Sequence, residues 1–117
     1  MQSLPFMERW AGDTWRMPLD RYHCAVLSLA DSTEHWKARL CNAANNIFCL
    51  QASEFPKDLQ ERHASLLTSV TLLPGDNGAI NATVYQMKKK EGRAAISEIV
   101  AIWTELRIAK LTPRGNR

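Results

Sequence analysis

Apolar residues recur along this chain at helical spacing. Trp36, Leu40, Ala43, Ile47 and Leu50 step by four, three, four and three, and Leu59, His63, Leu66, Val70 and Leu73 repeat the rhythm. The first stripe is preceded by Asp31 and Glu34, which have capping-box spacing, and predicts a helix ending near Ser53. The second opens at Pro56 and is stopped by Pro74-Gly75, with "PGDNG" as a tight connection that suits antiparallel neighbours. Earlier, Ser3 caps a short predicted helix running to about Trp10, before Gly12-Asp13. From Pro18, Leu19, Tyr22, Val26 and Leu29 favour another helix, although "HCAVLSL" also fits a short strand.

From Ala79 to Leu111 the helical pattern is nearly continuous. Ile80, Val84, Met87, Ala95, Ile99, Ile102 and Leu106 fall on one face, interrupted by Glu91. Val84, Ala95 and Leu106 are eleven residues apart, close to three turns, which predicts one long helix, kinked if anywhere at Gly92. The expected fold is all-α, a single domain over residues 1–117 with four or five helices, in which residues 1–17 form a loosely packed arm.

The end of that long helix is apolar around most of its circumference. Ala95, Ile99, Ile102 and Leu106 make one stripe. Ile96, Val100, Trp103 and Leu111 make a second, rotated by about 100° and broken by Arg107. A helix of this kind is covered on two sides. Either it is the central helix of its own domain, or the second stripe meets a second copy or a partner protein. The reading adopted is an interface formed by Ile96, Val100, Trp103, Arg107 and Leu111, with Trp103 at its centre.

Composition narrows the function classes. With 45% hydrophobic and 23% charged residues, the 117-residue chain has the make-up of a folded domain and not of a disordered one. No apolar run reaches the roughly 18 residues that span a bilayer. "MQSLPFMERW" lacks the regions of a signal peptide, so a cytoplasmic protein is expected. Four tryptophans, at 10, 15, 36 and 103, are many for this length and suit interface anchors.

Chemical motifs are sparse. Cys24, Cys41 and Cys49 are an odd number without C-x-x-C spacing, so buried thiols are expected instead of a disulfide framework. Together with His23, His35 and His63 they match no compact zinc module, with Cys41 and Cys49 about 12 Å apart along one predicted helix. His63, on an apolar stripe, reads as a satisfied core or interface histidine and not as a ligand. Glu91, Glu98 and Glu105 recur every seven residues on a face expected to be solvated. There is no phosphate-loop or dinucleotide fingerprint. No metal, cofactor or catalytic residue is therefore expected.

The net charge of +3 is uneven: residues 59–117 carry nine Lys/Arg against five Asp/Glu. Lys88, Lys89, Lys90 and Arg93 are the one basic cluster. A helix-turn-helix reading is weakened because the cluster falls in the middle of the predicted long helix, and not at the start of one. Nucleic-acid binding through residues 88–93 is thus the alternative function.

From "MERWAGDTWRMPLDRYHC" to "AIWTELRIAKL", the chain resembles in length and character the small helical antiactivators of LuxR-type quorum-sensing regulators. The resemblance implies a homodimeric helical protein that binds the ligand-binding domain of a LuxR-type transcription regulator and prevents it from dimerising and binding DNA. No residue role follows from it. The expected function is therefore a non-enzymatic binding protein that sequesters a partner through apolar helical surfaces.

Overall fold

The computed structural model describes residues 16–31, 33–75 and 78–111, the side chains of Lys110 and Leu111 excepted. The helix expected at Ser3–Trp10, most of the arm over residues 1–17, and the tail beyond Leu111 lie outside them. Among the described residues there are five α-helices and no strand: α1 (Arg16–Leu29), α2 (Trp36–Ile47), α3 (Lys57–Val70), α4 (Ala79–Tyr85) and α5 (Lys89–Leu111). One 3-10 turn, Ala52–Glu54, leads into α3. The all-α expectation holds, and the strand alternative for "HCAVLSL" does not.

α1 packs chiefly on α2 and α5, while α3 packs on α5 and on the 3-10 turn. The core lies between them, where Tyr22, Leu40, Ile47, Ile99, Ile102 and Leu106 are fully buried. Side chains of this size each contribute about 1.5–3 kcal/mol through removal from water. At the end of α1, Arg39 donates from Nη1 to the Leu29 carbonyl at 3.1 Å, satisfying a terminal acceptor of that helix.

The start of α2 corrects the capping expectation. Asp31 does not cap this helix. It accepts from the Thr33 amide at 3.0 Å and the Thr33 hydroxyl at 2.7 Å, a local turn that holds its carboxyl below the usual range. The cap is His35, whose Nδ1 accepts from the Lys37 amide at 3.2 Å. An Asx turn satisfies Asp31 locally, so the helix starts at Trp36 instead. It also ends at Ile47, short of Ser53. Cys49 therefore lies beyond the helix that holds Cys41.

The long helix expected over 79–111 is two helices, separated by Gln86, Met87 and Lys88. The apolar stripe survives the break, with Val84, Ala95 and Leu106 all buried. The two parts nevertheless pack mainly on different neighbours: α4 chiefly on α2, and α5 chiefly on α1 and α3. Hydrogen bonds fix the break. Lys37 Nζ donates to the Tyr85 carbonyl at 2.9 Å, and Glu91 Oε1 accepts from the Lys88 amide at 2.8 Å. The second bond is half of a capping box, so the residue that interrupts the apolar stripe also marks the helix start. Gly92 does not kink α5. It is buried beneath the ring of Trp36, where a side chain would collide. Gly78, before α4, has φ 102°, a conformation open to glycine at little cost.

Two expectations about individual side chains also change. Cys41 is buried and its thiol is pushed up by desolvation, but Cys24 and Cys49 are exposed. Cys24 falls on the outer face of α1 and Cys49 on the surface segment after α2, so neither meets the core. Leu73 follows the end of α3 at Val70 and is 42% exposed, so it does not complete the buried stripe.

Candidate functional site: an apolar groove between three helices

The last turns of α3, the segment after it, α4 and the first half of α5 enclose an open groove of about 580 Å³. Its floor is Leu66, Thr83 and Ala95, all buried. Its rim carries Leu72, Leu73 and Met87. Leu72 is 66% exposed, which is costly for leucine unless something covers it. The rim is built in place: the Leu73 amide donates to Thr83 Oγ1 at 2.8 Å, tying the segment after α3 to α4. Thr71 adds a second tie, its hydroxyl donating to the Leu67 carbonyl at 2.7 Å.

One end of the groove is closed by charge. Arg62 on α3 reaches Glu98 on α5 through two parallel bonds, Nε to Oε2 at 2.9 Å and Nη2 to Oε1 at 3.0 Å. Glu98 and, more distantly, Glu105 favour the charged form of Arg62 further. Glu91 stands seven residues before Glu98 on the same edge. The charged groups lining the groove are thus two carboxylates and the guanidinium that pairs with one of them.

The sequence-predicted interface residues are divided by the fold. Ile96 and Trp103 are partly buried and pack on the core. The Trp103 ring lies 6.0 Å from that of His23 on α1, and its indole N–H is buried without a hydrogen-bond acceptor among the described residues. Val100 is 38% exposed, and Arg107 is exposed with its guanidinium 4.9 Å from the centre of the Trp103 ring. Leu111 carries no side-chain description. The second stripe is thus covered by α1 along one border and open at Val100 and Arg107.

The basic cluster also lies differently from the sequence expectation. Lys88, Lys89, Lys90 and Arg93 are exposed; Lys88 immediately precedes α5 and the other three occupy its first turns. Positive charge there opposes the helix dipole. The argument that set the cluster in mid-helix therefore falls.

Beneath the surface, Tyr22, Phe55 and His63 form a buried cluster. His63 stacks on Phe55 with ring centres 4.2 Å apart. His63 Nε2 faces the Leu50 carbonyl at 3.1 Å, and a carbonyl can only accept, so Nε2 carries the proton. Nδ1 then accepts from the Tyr22 hydroxyl at 2.7 Å. Burial pushes the histidine below its ordinary pKa and the tyrosine far above its own. The sequence reading of His63 as a satisfied core histidine holds, and the cluster joins α1, α3 and the segment after α2. Among the described residues, no three His, Cys, Asp or Glu side chains converge as metal ligands.

The groove was not foreseen from sequence, but a signal for it exists. Leu72 and Leu73 are adjacent and precede Pro74-Gly75, so a single helical stripe cannot bury both. No family model, curated protein or solved structure matches this chain.

Proposed function

We propose that this chain is a non-enzymatic regulatory protein that sequesters a protein partner by holding one of its helices. The observation that carries the reading is the preformed groove, whose rim presents Leu72 and Leu73 to solvent although the backbone around them is hydrogen-bonded in place. A rim fixed in advance spends little entropy on binding. The partner class suggested by the sequence resemblance is a LuxR-type transcription regulator, whose dimerisation the chain would block in the cytoplasm by mass action. Homodimerisation belongs to the same proposal, with Val100 and Arg107 on the open border of α5 as its contact. Among the described residues, no helix is long and apolar enough to cross a membrane.

The test is affinity capture from a lysate of the source cells, with wild type beside a Leu72→Ser/Leu73→Ser variant and mass-spectrometric identification of what is retained. A stoichiometric protein held by wild type and lost by the variant is the expected result. Retention of no protein, or equal retention by both, contradicts it. Light scattering of the free chain tests self-association: the homodimer requires twice the 13.3 kDa chain mass.

A second reading is favoured by one specific observation. α4 and α5 are joined by a three-residue turn, and α5 then opens with Lys89, Lys90 and Arg93 beside Lys88. That is the order of elements in a helix-turn-helix, with cations where the second helix would meet phosphate. DNA retention that falls steeply with salt, and is lost when Lys88, Lys89 and Lys90 become alanine, would favour it.

A further inference from the structure

We infer that the protein carries a surface for single-stranded nucleic acid, apart from the groove, where cations hold phosphates and exposed rings stack on bases. The inference rests on the nucleic-acid reading of the basic cluster and changes its ligand from a duplex to an unpaired strand.

Three elements build this surface. Gly92, in the first turns of α5, lies against the six-membered ring of Trp36, which sets the start of α2 beside the start of α5. The His35 ring is 5.9 Å from that of Trp36 and tilted by 30°. Lys37 Nζ sits 5.6 Å from the centre of the Trp36 ring and donates to the Tyr85 carbonyl at 2.9 Å, which brings in the end of α4. His35 and Tyr85 are exposed, Tyr85 by 52%. Trp36 is half-buried, so it is the post that joins these parts and not an open platform.

The cations border the same post. Lys89 and Arg93 are four residues apart and share a face of α5, and Lys89 is three residues from Gly92. Lys88, Lys89, Lys90 and Arg93 are exposed, and among the described residues none of them forms an ion pair. The nearby carboxylates are Asp31, Glu34 and Glu91. Asp31 is bonded by Thr33 and feels Arg39. Glu91 lines the groove and stands about 160° around α5 from both Lys89 and Arg93. Even with all three counted, Lys37, Arg39, Lys88, Lys89, Lys90 and Arg93 leave a positive excess.

Cations alone would serve any polyanion, and the rings choose among them. In a duplex the bases stack on one another and present no face to His35 or Tyr85. An unpaired strand offers phosphates and base faces together. A lipid surface offers the charge without a base to stack.

The experiment titrates the full chain into fluorescein-labelled probes of about 16 nucleotides, read by fluorescence anisotropy. The probes are a thymidine strand, a uridine strand, an abasic strand of the same deoxyribose-phosphate backbone, and a duplex. The thymidine or the uridine strand is expected to bind at least tenfold more tightly than the abasic strand and the duplex, and to weaken steeply as salt rises. Which of the two binds tighter distinguishes DNA from RNA as the ligand. Tyr85→Ser should weaken the base-bearing strand at least fivefold and leave the abasic strand unchanged. Lys89→Glu/Arg93→Glu should abolish binding of every probe while the chain stays helical, since glutamate suits the first turns of a helix. Equal binding of base-bearing and abasic strands, or no effect of Tyr85→Ser, overturns the inference. Tighter binding of the duplex overturns it and leaves the helix-turn-helix reading in place, whereas binding of no probe removes both.

Discussion

The six-membered ring of Trp36 lies against Gly92: a methyl group placed on that glycine would collide with the tryptophan Cζ3 and Cη2. The absent side chain lets the first turns of α5 approach the start of α2. Gly92→Ala gains about 1 kcal/mol in helix propensity. Displacing the indole costs about 1–3 kcal/mol in overpacking, so a net loss is expected. Urea unfolding of Gly92→Ala alone and combined with Trp36→Leu measures it. The second change should recover part of the loss, because it removes the atoms that collide.

The buried histidine makes stability depend on pH in a defined direction. His63 titrates below 6.5 in the folded chain, chiefly because burial disfavours its cation. The Leu50 carbonyl and the Glu54 carboxylate oppose that shift more weakly. Between the folded value and 6.5, the unfolded chain holds a proton that the native chain does not. The contribution is therefore complete above about pH 6.5 and is lost as pH falls through the folded value. Unfolding midpoints between about pH 7.5 and pH 5 should decline, and His63→Gln should flatten that decline.

Tyr22→Phe removes the hydroxyl that donates to His63 Nδ1 and leaves a buried acceptor unmet. The expected cost is about 1–3 kcal/mol. Nitrogen chemical shifts of the histidine ring should retain the Nε2–H form, since the Leu50 carbonyl is untouched.

Arg62 and Glu98 join two walls of the groove with good geometry, but their side chains are 38% and 33% exposed. Solvent screens such a pair, so a double-mutant cycle should return about 1 kcal/mol or less, diminishing with salt. Its larger consequence is positional, since it keeps α3 and α5 at the spacing that leaves the groove open. Arg62→Ala should weaken partner binding more than it weakens folding.

Much of this fold was legible in the chain, because its helices are written as stripes that one core can satisfy together. Leu40, Ala43 and Ile47 are buried as their spacing requires, and so are Leu59, His63, Leu66 and Val70, while Leu50 is buried from the segment after α2. What escaped was decided by neighbours. Periodicity continues across Gln86–Lys88 because α4 and α5 bury the same stripe on different partners, and only Glu91 betrays the restart. A helical wheel cannot show that Trp103 packs on the core beside His23 of α1. The groove is assembled from segments up to 36 residues apart, as the Arg62–Glu98 pair shows, and no local pattern reports such an arrangement.

If the groove is the docking site proposed, Leu72 and Leu73 contact the partner and the Trp103 stripe does not. This is tested most directly by calorimetric titration of the purified captured protein into wild type, Leu72→Ser/Leu73→Ser and Trp103→Glu, each first shown to be helical. Both leucines are exposed, so their replacement should change stability by only about 0.5 kcal/mol each. At least a hundredfold loss of affinity is expected for the leucine variant, and a change within threefold for Trp103→Glu. Unchanged affinity in the leucine variant, with binding abolished by Trp103→Glu, would contradict this and return the site to the second stripe of α5.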